Sequence, residues 1–144
     1  IMTDRFVNGD PSNDGESTNA AEGADWLGGD FAGVTQMIQS GYFTDLGVNA
    51  LWLTPFNAAA NGTGLASDGQ HSVSAYHGYW PTAAREVDAR LGTADELHTL
   101  VGAAHNAGIR IMGDFVINHV HEDHPYFTEH PDWFNYGCLC GKEN

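Results

Sequence analysis

The chain has 144 residues, enough for one ordinary domain with a real core, and 42% of them are hydrophobic. Its 19 acidic residues against 5 basic ones give a formal net charge of −14, which repels phosphate backbones and anionic lipid. Nucleic acid and membrane surfaces are therefore poor partners, while neutral solutes and cations remain, and the acidity also serves plain solubility. No apolar run approaches the roughly 18–20 residues of a membrane span, and no charged-then-apolar leader pattern is visible within these residues.

In chain order, Ile1-Met2-Thr3-Asp4-Arg5-Phe6 reads as the end of a strand. Residues 7–30 are rich in Asn, Asp, Gly, Ser and Glu, with few large apolar residues before Trp26, and read as a long loop. Phe31, Val34, Ile38, Tyr42 and Leu46 recur at helical spacing, so one helix is predicted over 31–46, closed by Gly47. The run Val48 to Pro55 is apolar, stopped by proline, and reads as a buried strand. Residues 56–92 form a second long loop, Gly- and Ser-containing and then aromatic. Thr93 and Glu96 have the spacing of a capping box, opening a helix through Leu97, Leu100, Val101 and Ala104 to Gly108. Ile109 to Val116 is the next strand, and 117–144 is again a loop with His, Pro and aromatic residues.

Helices joining successive buried strands imply a parallel sheet and an α/β fold. The long loops all follow strands, whereas the helix-to-strand turns are short. That asymmetry suits a TIM (β/α)8 barrel, whose active face is built from the loops after its strands. A doubly wound open sheet is the alternative, but no Gly-rich phosphate turn follows any strand.

Two side-chain groupings are candidates for metal. Asn8, Asp10, Asn13 and Asp14 place four oxygen-bearing side chains within a short stretch, and Gly28-Gly29-Asp30 closes the same loop. Calcium takes about six to eight such oxygens. An EF-hand fails on register, because counting from Asp10 puts Ala21 where the glutamate belongs. A calcium loop and a solvated Asx-turn loop both remain open on the residues alone. His121, His124, His130, Cys138 and Cys140 match no compact zinc pattern, and Pro125 and Pro131 interrupt any helix that would align them. Cys138 and Cys140 are too close to bridge each other comfortably, so partners elsewhere, either disulfides or a metal, are expected.

Four stretches in order resemble the α-amylase family, glycoside hydrolase family 13. Asp114-Phe115-Val116-Ile117-Asn118-His119 is similar to the segment closing its third barrel strand, and Asp45 to Pro55 resembles the entry into the second. Tyr76-His77-Gly78-Tyr79-Trp80 looks like the substrate-lining loop after the second strand, and Asp4-Arg5-Phe6 the end of the first. The resemblance implies that residues 1–119 are the first three βα units of the catalytic barrel and 120–144 the start of the loop domain after the third strand.

It further implies an α-glucan substrate (starch or maltooligosaccharides) and a retaining mechanism. Tyr79, His77, Trp80 and His119 would contact sugar, and Asp114 would support the nucleophile's neighbourhood. Calcium would be held by Asn8, Asp10, Asn13, Asp14, Gly28 and Asp30, with Asn118 serving a second ion. The family's nucleophile and general acid belong to later strands, so the segment alone is expected to be inactive. A transglycosylase, or a non-catalytic sugar-binding or transport-associated relative on the same barrel, are the alternatives, and a self-contained small βα domain is a third. The cysteines point to a secreted or periplasmic setting.

Overall fold

The computed structural model describes residues 1–135; Cys138, Cys140 and the remainder of the expected loop domain lie outside the described residues. Its helices are α1 (Phe31–Gln39), α2 (Tyr42–Asp45), α3 (Ala94–Asn106) and α4 (Pro125–Glu129), and its strands are β1 (Ala50–Leu53), β2 (Thr63–Leu65), β3 (Ser72–Ser74) and β4 (Arg110–Gly113).

β1 and β4 pair in parallel, from Ala50 opposite Arg110 to Leu53 opposite Gly113, and the Asp114 N–H continues the ladder to the Leu53 carbonyl at 2.9 Å. The chain start lies along the other side of β1. The Thr54 N–H donates to the Ile1 carbonyl at 2.9 Å, and the Ile1 amino group donates to the Trp52 carbonyl, which is one rung of a parallel ladder. The helices that connect these segments pack on each other, with Phe31, Val34 and Ile38 of α1 meeting Leu100 and Ala104 of α3 over Leu51 and Leu53. Alternation along β1 then turns Trp52 to the helix-free face, where it is 59% exposed beside Met112, its partner in register, at 50%.

The caps explain where the helices start. Asp30 accepts from the Gly33 N–H at 2.6 Å and opens α1. Thr93 and Glu96 form the predicted capping box on α3.

Five expectations change. Residues 3–5 form a single 3-10 turn in place of a strand end, because the Asp4 carboxylate turns back to cap the first loop. The helix expected over 31–46 breaks at Ser40-Gly41, where Gly41 takes a φ of 85°. Both strands are shorter than read, since pairing stops where the long loops leave the sheet. The loop 56–92 contains an antiparallel hairpin of β2 and β3, registered from Thr63 opposite Ser74 to Leu65 opposite Ser72. Finally, the tail forms α4 with Pro125 at its first turn, where the missing N–H costs nothing, and a 3-10 turn at Pro131–Trp133.

Candidate functional site

The site grows from the residues that follow β1 and β4. Gly78 sits at φ 79°, and a Cβ there would stand 2.1 Å from the Pro55 carbonyl oxygen, so only glycine lets this loop press onto the end of β1. That contact brings Tyr79 over the sheet end, where its hydroxyl donates to Asp114 Oδ2 at 2.6 Å. The carboxylate acceptor raises the Tyr79 phenol above its ordinary value, with burial adding to it. Asp114 Oδ1 in turn accepts from the Phe115 N–H at 2.8 Å, which fixes the carboxylate.

His119 closes the other side. Its Nε2–H donates to the Tyr79 carbonyl at 2.8 Å, and the Asn118 amide donates to its Nδ1 at 3.3 Å, a self-consistent neutral tautomer. His77 accepts from the Tyr79 N–H at Nδ1, 3.0 Å away, and lies nearly parallel to the Tyr79 ring at 24° and 5.8 Å. Trp80 meets His77 edge-on at 4.8 Å. Burial first, then the Arg5 charge, hold His77 below the usual imidazole value. Four of the expected sugar contacts, Tyr79, His77, Trp80 and His119, thus form one cluster with Asp114.

A cleft of about 380 Å³ opens beside them, lined by Ile1, Met2, Trp52, Thr54, Tyr79 and Asp114. Trp52 and Thr54 are not legible as lining residues from the sequence, because the run Val48 to Pro55 reads as one buried strand. The signal was the placement of Trp52 between two leucines in a strand, which sends it to the opposite face. A larger cleft lies elsewhere, between Gly15–Thr18 and Glu86–Arg90, and its lining includes the Asp88–Arg90 ion pair at 2.6 Å.

In the first loop, the Asn8 amide donates to both oxygens of Asp14 at 2.9 Å, and a Cβ at Gly28 would come within 2.3 Å of Asp14 Oδ1. Asn8, Asp14 and Gly28 are therefore together. Asn13 Oδ1 is buried with no hydrogen-bond partner. Asp30 is fully buried and accepts from the N–H groups of Gly9, Asp10 and Gly33 and from the Asn13 amide. Asp10 instead turns to Ser12, accepting from its N–H and hydroxyl, which lower its carboxyl below the ordinary value. Among the described residues no three acidic, His or Cys side chains converge. Asn8 turns its amide nitrogen to Asp14, and N–H donors occupy both Asp30 oxygens; the residue types are those a hard cation such as calcium takes, and Asn13 Oδ1 is an acceptor without a donor. Asn118 lies apart from that loop in sequence, beside His119. His121 and His124 carry turn-forming roles, accepting from the N–H groups of Asp123 and Tyr126.

Parallel strands linked through helices, with an aromatic and carboxylate cluster at their C-terminal ends, are the arrangement found on the active face of a βα barrel. Comparison with known proteins gives the family. The family described as "Alpha amylase, catalytic domain" matches residues 1–136. The cyclomaltodextrin glucanotransferase of Paenibacillus macerans is 35% identical over 99% of this chain and 21% of its own length. The periplasmic alpha-amylase of Escherichia coli K12 is 42% identical over 83% of the chain and 18% of its own length. Among solved structures, the γ-cyclomaltodextrin glucanotransferase of alkalophilic Bacillus clarkii superposes with a TM-score of 0.81 at 31% identity, over 99% of this chain and 24% of that one. An alpha-amylase of Geobacillus thermoleovorans complexed with acarbose superposes at 0.73 and 35% identity, over 94% and 26%. The chain belongs to the α-amylase family, glycoside hydrolase family 13, whose fold is the TIM barrel. It spans about a fifth of the length of the curated relatives it matches.

Proposed function

We propose that the protein carrying this chain acts on α-glucans such as starch and maltooligosaccharides by a retaining mechanism. In this reading residues 1–119 supply the first three βα units of the barrel, and 120–144 begin the loop domain after the third strand. The observation that carries it is the 2.6 Å bond from the Tyr79 hydroxyl to Asp114, with His119 on the Tyr79 carbonyl, at the ends of adjacent parallel strands.

The chemistry follows from those groups. The flat face of Tyr79 stacks on the C–H face of a pyranose, and its hydroxyl, already committed to Asp114, fixes the ring's tilt. His77 and Trp80 extend the aromatic wall. Both ring nitrogens of His119 have protein partners, so a sugar hydroxyl reaches Nδ1 by displacing the long contact to Asn118. Asp114 serves as a strand-end acceptor for a neighbouring cation or arginine, not as the nucleophile. In the retaining scheme one carboxylate attacks the anomeric carbon while another protonates the leaving oxygen, and water then releases the sugar. The family's nucleophile and general acid belong to later strands, so these residues alone are expected to be inactive.

Asn8, Asp10, Asn13, Asp14, the Gly28 carbonyl and Asp30 would hold calcium, which would brace the first loop, and Asn118 would contribute to a second ion. The glucanotransferase relatives support a second reading, transfer of the glycosyl group to another sugar in place of water. A secreted or periplasmic setting is supported by the periplasmic relative.

The test is to incubate the whole protein with a maltooligosaccharide and follow products by proton NMR. An α-anomeric first product supports retention, and longer or cyclic products support transfer. A β-anomeric first product, or binding without turnover, contradicts the retaining-enzyme reading, the latter in favour of a non-catalytic relative.

A further inference from the structure

The aromatic loop rests on a cation, Arg5, whose guanidinium lies against the Tyr76 ring. Arg5 follows Asp4, whose carboxylate is buried and accepts from the Leu27 and Gly28 N–H groups at 3.0–3.1 Å. Arg5 Nη1 lies 3.3 Å from that carboxylate, and Nη2 donates to the Gly23 carbonyl at 3.1 Å. With two sides of the guanidinium held, its face lies 3.5 Å from the centre of the Tyr76 ring. Nη1 makes no hydrogen bond and is shut off from solvent, so the Tyr76 ring face adds to the Asp4 charge and the Gly23 carbonyl in holding the guanidinium. Tyr76 then meets His77 edge-on at 5.4 Å, and His77 carries the Tyr79 N–H and lies along the Tyr79 ring.

The stack has a rigid backing. The first loop pairs with β3, Ala21 N–H to the Ser72 carbonyl and Ser74 N–H to the Ala24 carbonyl, both at 2.9 Å. Gly23, which holds Arg5, lies between those two rungs. A planar guanidinium can take two edge partners and a ring face at once, which a lysine ammonium cannot.

We propose that Arg5 is a positioning residue for the sugar platform, setting the plane of Tyr79 through Tyr76 and His77. The inference rests on the α-glucan reading above. It requires that Arg5 and Tyr76 act as a unit on substrate use, in addition to whatever they do for folding.

The test uses the whole protein. Arg5→Met and Tyr76→Leu are each expected to lower kcat/KM for a maltooligosaccharide about tenfold, and the double variant is expected to be no worse than the poorer single one. Tyr76→Phe, which keeps the ring face, should recover most of what Tyr76→Leu loses. A folded Arg5→Met with wild-type kcat/KM, or losses that multiply in the double variant, overturns the proposal. Tyr76→Leu leaves the Asp4–Arg5 pair intact and gives the same reading if Arg5→Met fails to fold. Crystal structures of the variants separate this inference from the functional reading. If the wild type turns over no α-glucan, the functional reading fails, while a displaced Tyr79 ring in either variant still supports the positioning role and an unmoved ring overturns it.

Discussion

Tyr79 and His77 define the site at the scale of single residues. Removing only the Tyr79 hydroxyl frees the Asp114 carboxylate but keeps the ring, so Tyr79→Phe is expected to cost about tenfold in kcat/KM, near the lower end of what one hydrogen bond to a charged group contributes. His77 titrates below its ordinary value because it is half-buried and near Arg5. The unfolded chain therefore takes up a proton at a higher pH than the folded one. The stability tied to neutral His77 is full above about pH 6.5 and is lost as pH falls through that value toward the folded pKa. His77→Gln should flatten the dependence of the thermal midpoint on pH over that window; an unchanged slope contradicts the assignment. These residues were legible from the sequence because Tyr76 to Trp80 and Asp114 to His119 are contiguous motifs. Arg5 over Tyr76 was not, because a cation–π contact across about 70 residues of chain leaves no local pattern.

The elements show why the reading of helices held better than that of loops. The capping box at Thr93 and Glu96 is a local rule, and the structure keeps both of its bonds, at 3.2 and 2.7 Å. Thr93→Ala is expected to cost about 1 kcal/mol by denaturant unfolding of the whole protein. Leu100, fully buried between α1 and β1, should cost about 2–5 kcal/mol as Leu100→Ala. The break at Gly41 was hidden because the apolar stripe continues across it into α2. The β2–β3 hairpin was hidden for a different reason. Its strands are only three residues long and carry Gly64 against Trp80, so tertiary contact, not propensity, holds them. Calcium belongs at this scale too. Saturating calcium should raise the thermal midpoint of the wild-type protein, and by about 2.7 kcal/mol of stabilisation at a hundredfold excess over Kd. Asp14→Ala should abolish most of that gain, and an equal gain in the variant would remove the first loop as the ligand.

For the whole molecule, the exposed face is the informative feature. Trp52 and Met112 lie side by side on the helix-free face of the sheet, and Phe115 and Ile117 are exposed beyond β4. In the proposed barrel this face is turned inward and covered by further strands. Residues 1–144 expressed alone are therefore expected to aggregate or to lack a cooperative thermal transition, read by light scattering during a scan. The sequence could announce a parallel βα order through its short helix-to-strand turns, but not which face of β1 would need covering, since Ala50 to Leu53 reads as apolar throughout.

All three scales meet at one ring. The most direct measurement is kcat/KM of the whole protein on a maltooligosaccharide, wild type against Tyr79→Ala. The account expects turnover by the wild type and a loss of about a hundredfold or more in a variant that remains folded, on the order of 3 kcal/mol of transition-state binding. Unchanged kinetics in the folded variant would contradict the claim that these strand ends form the sugar platform.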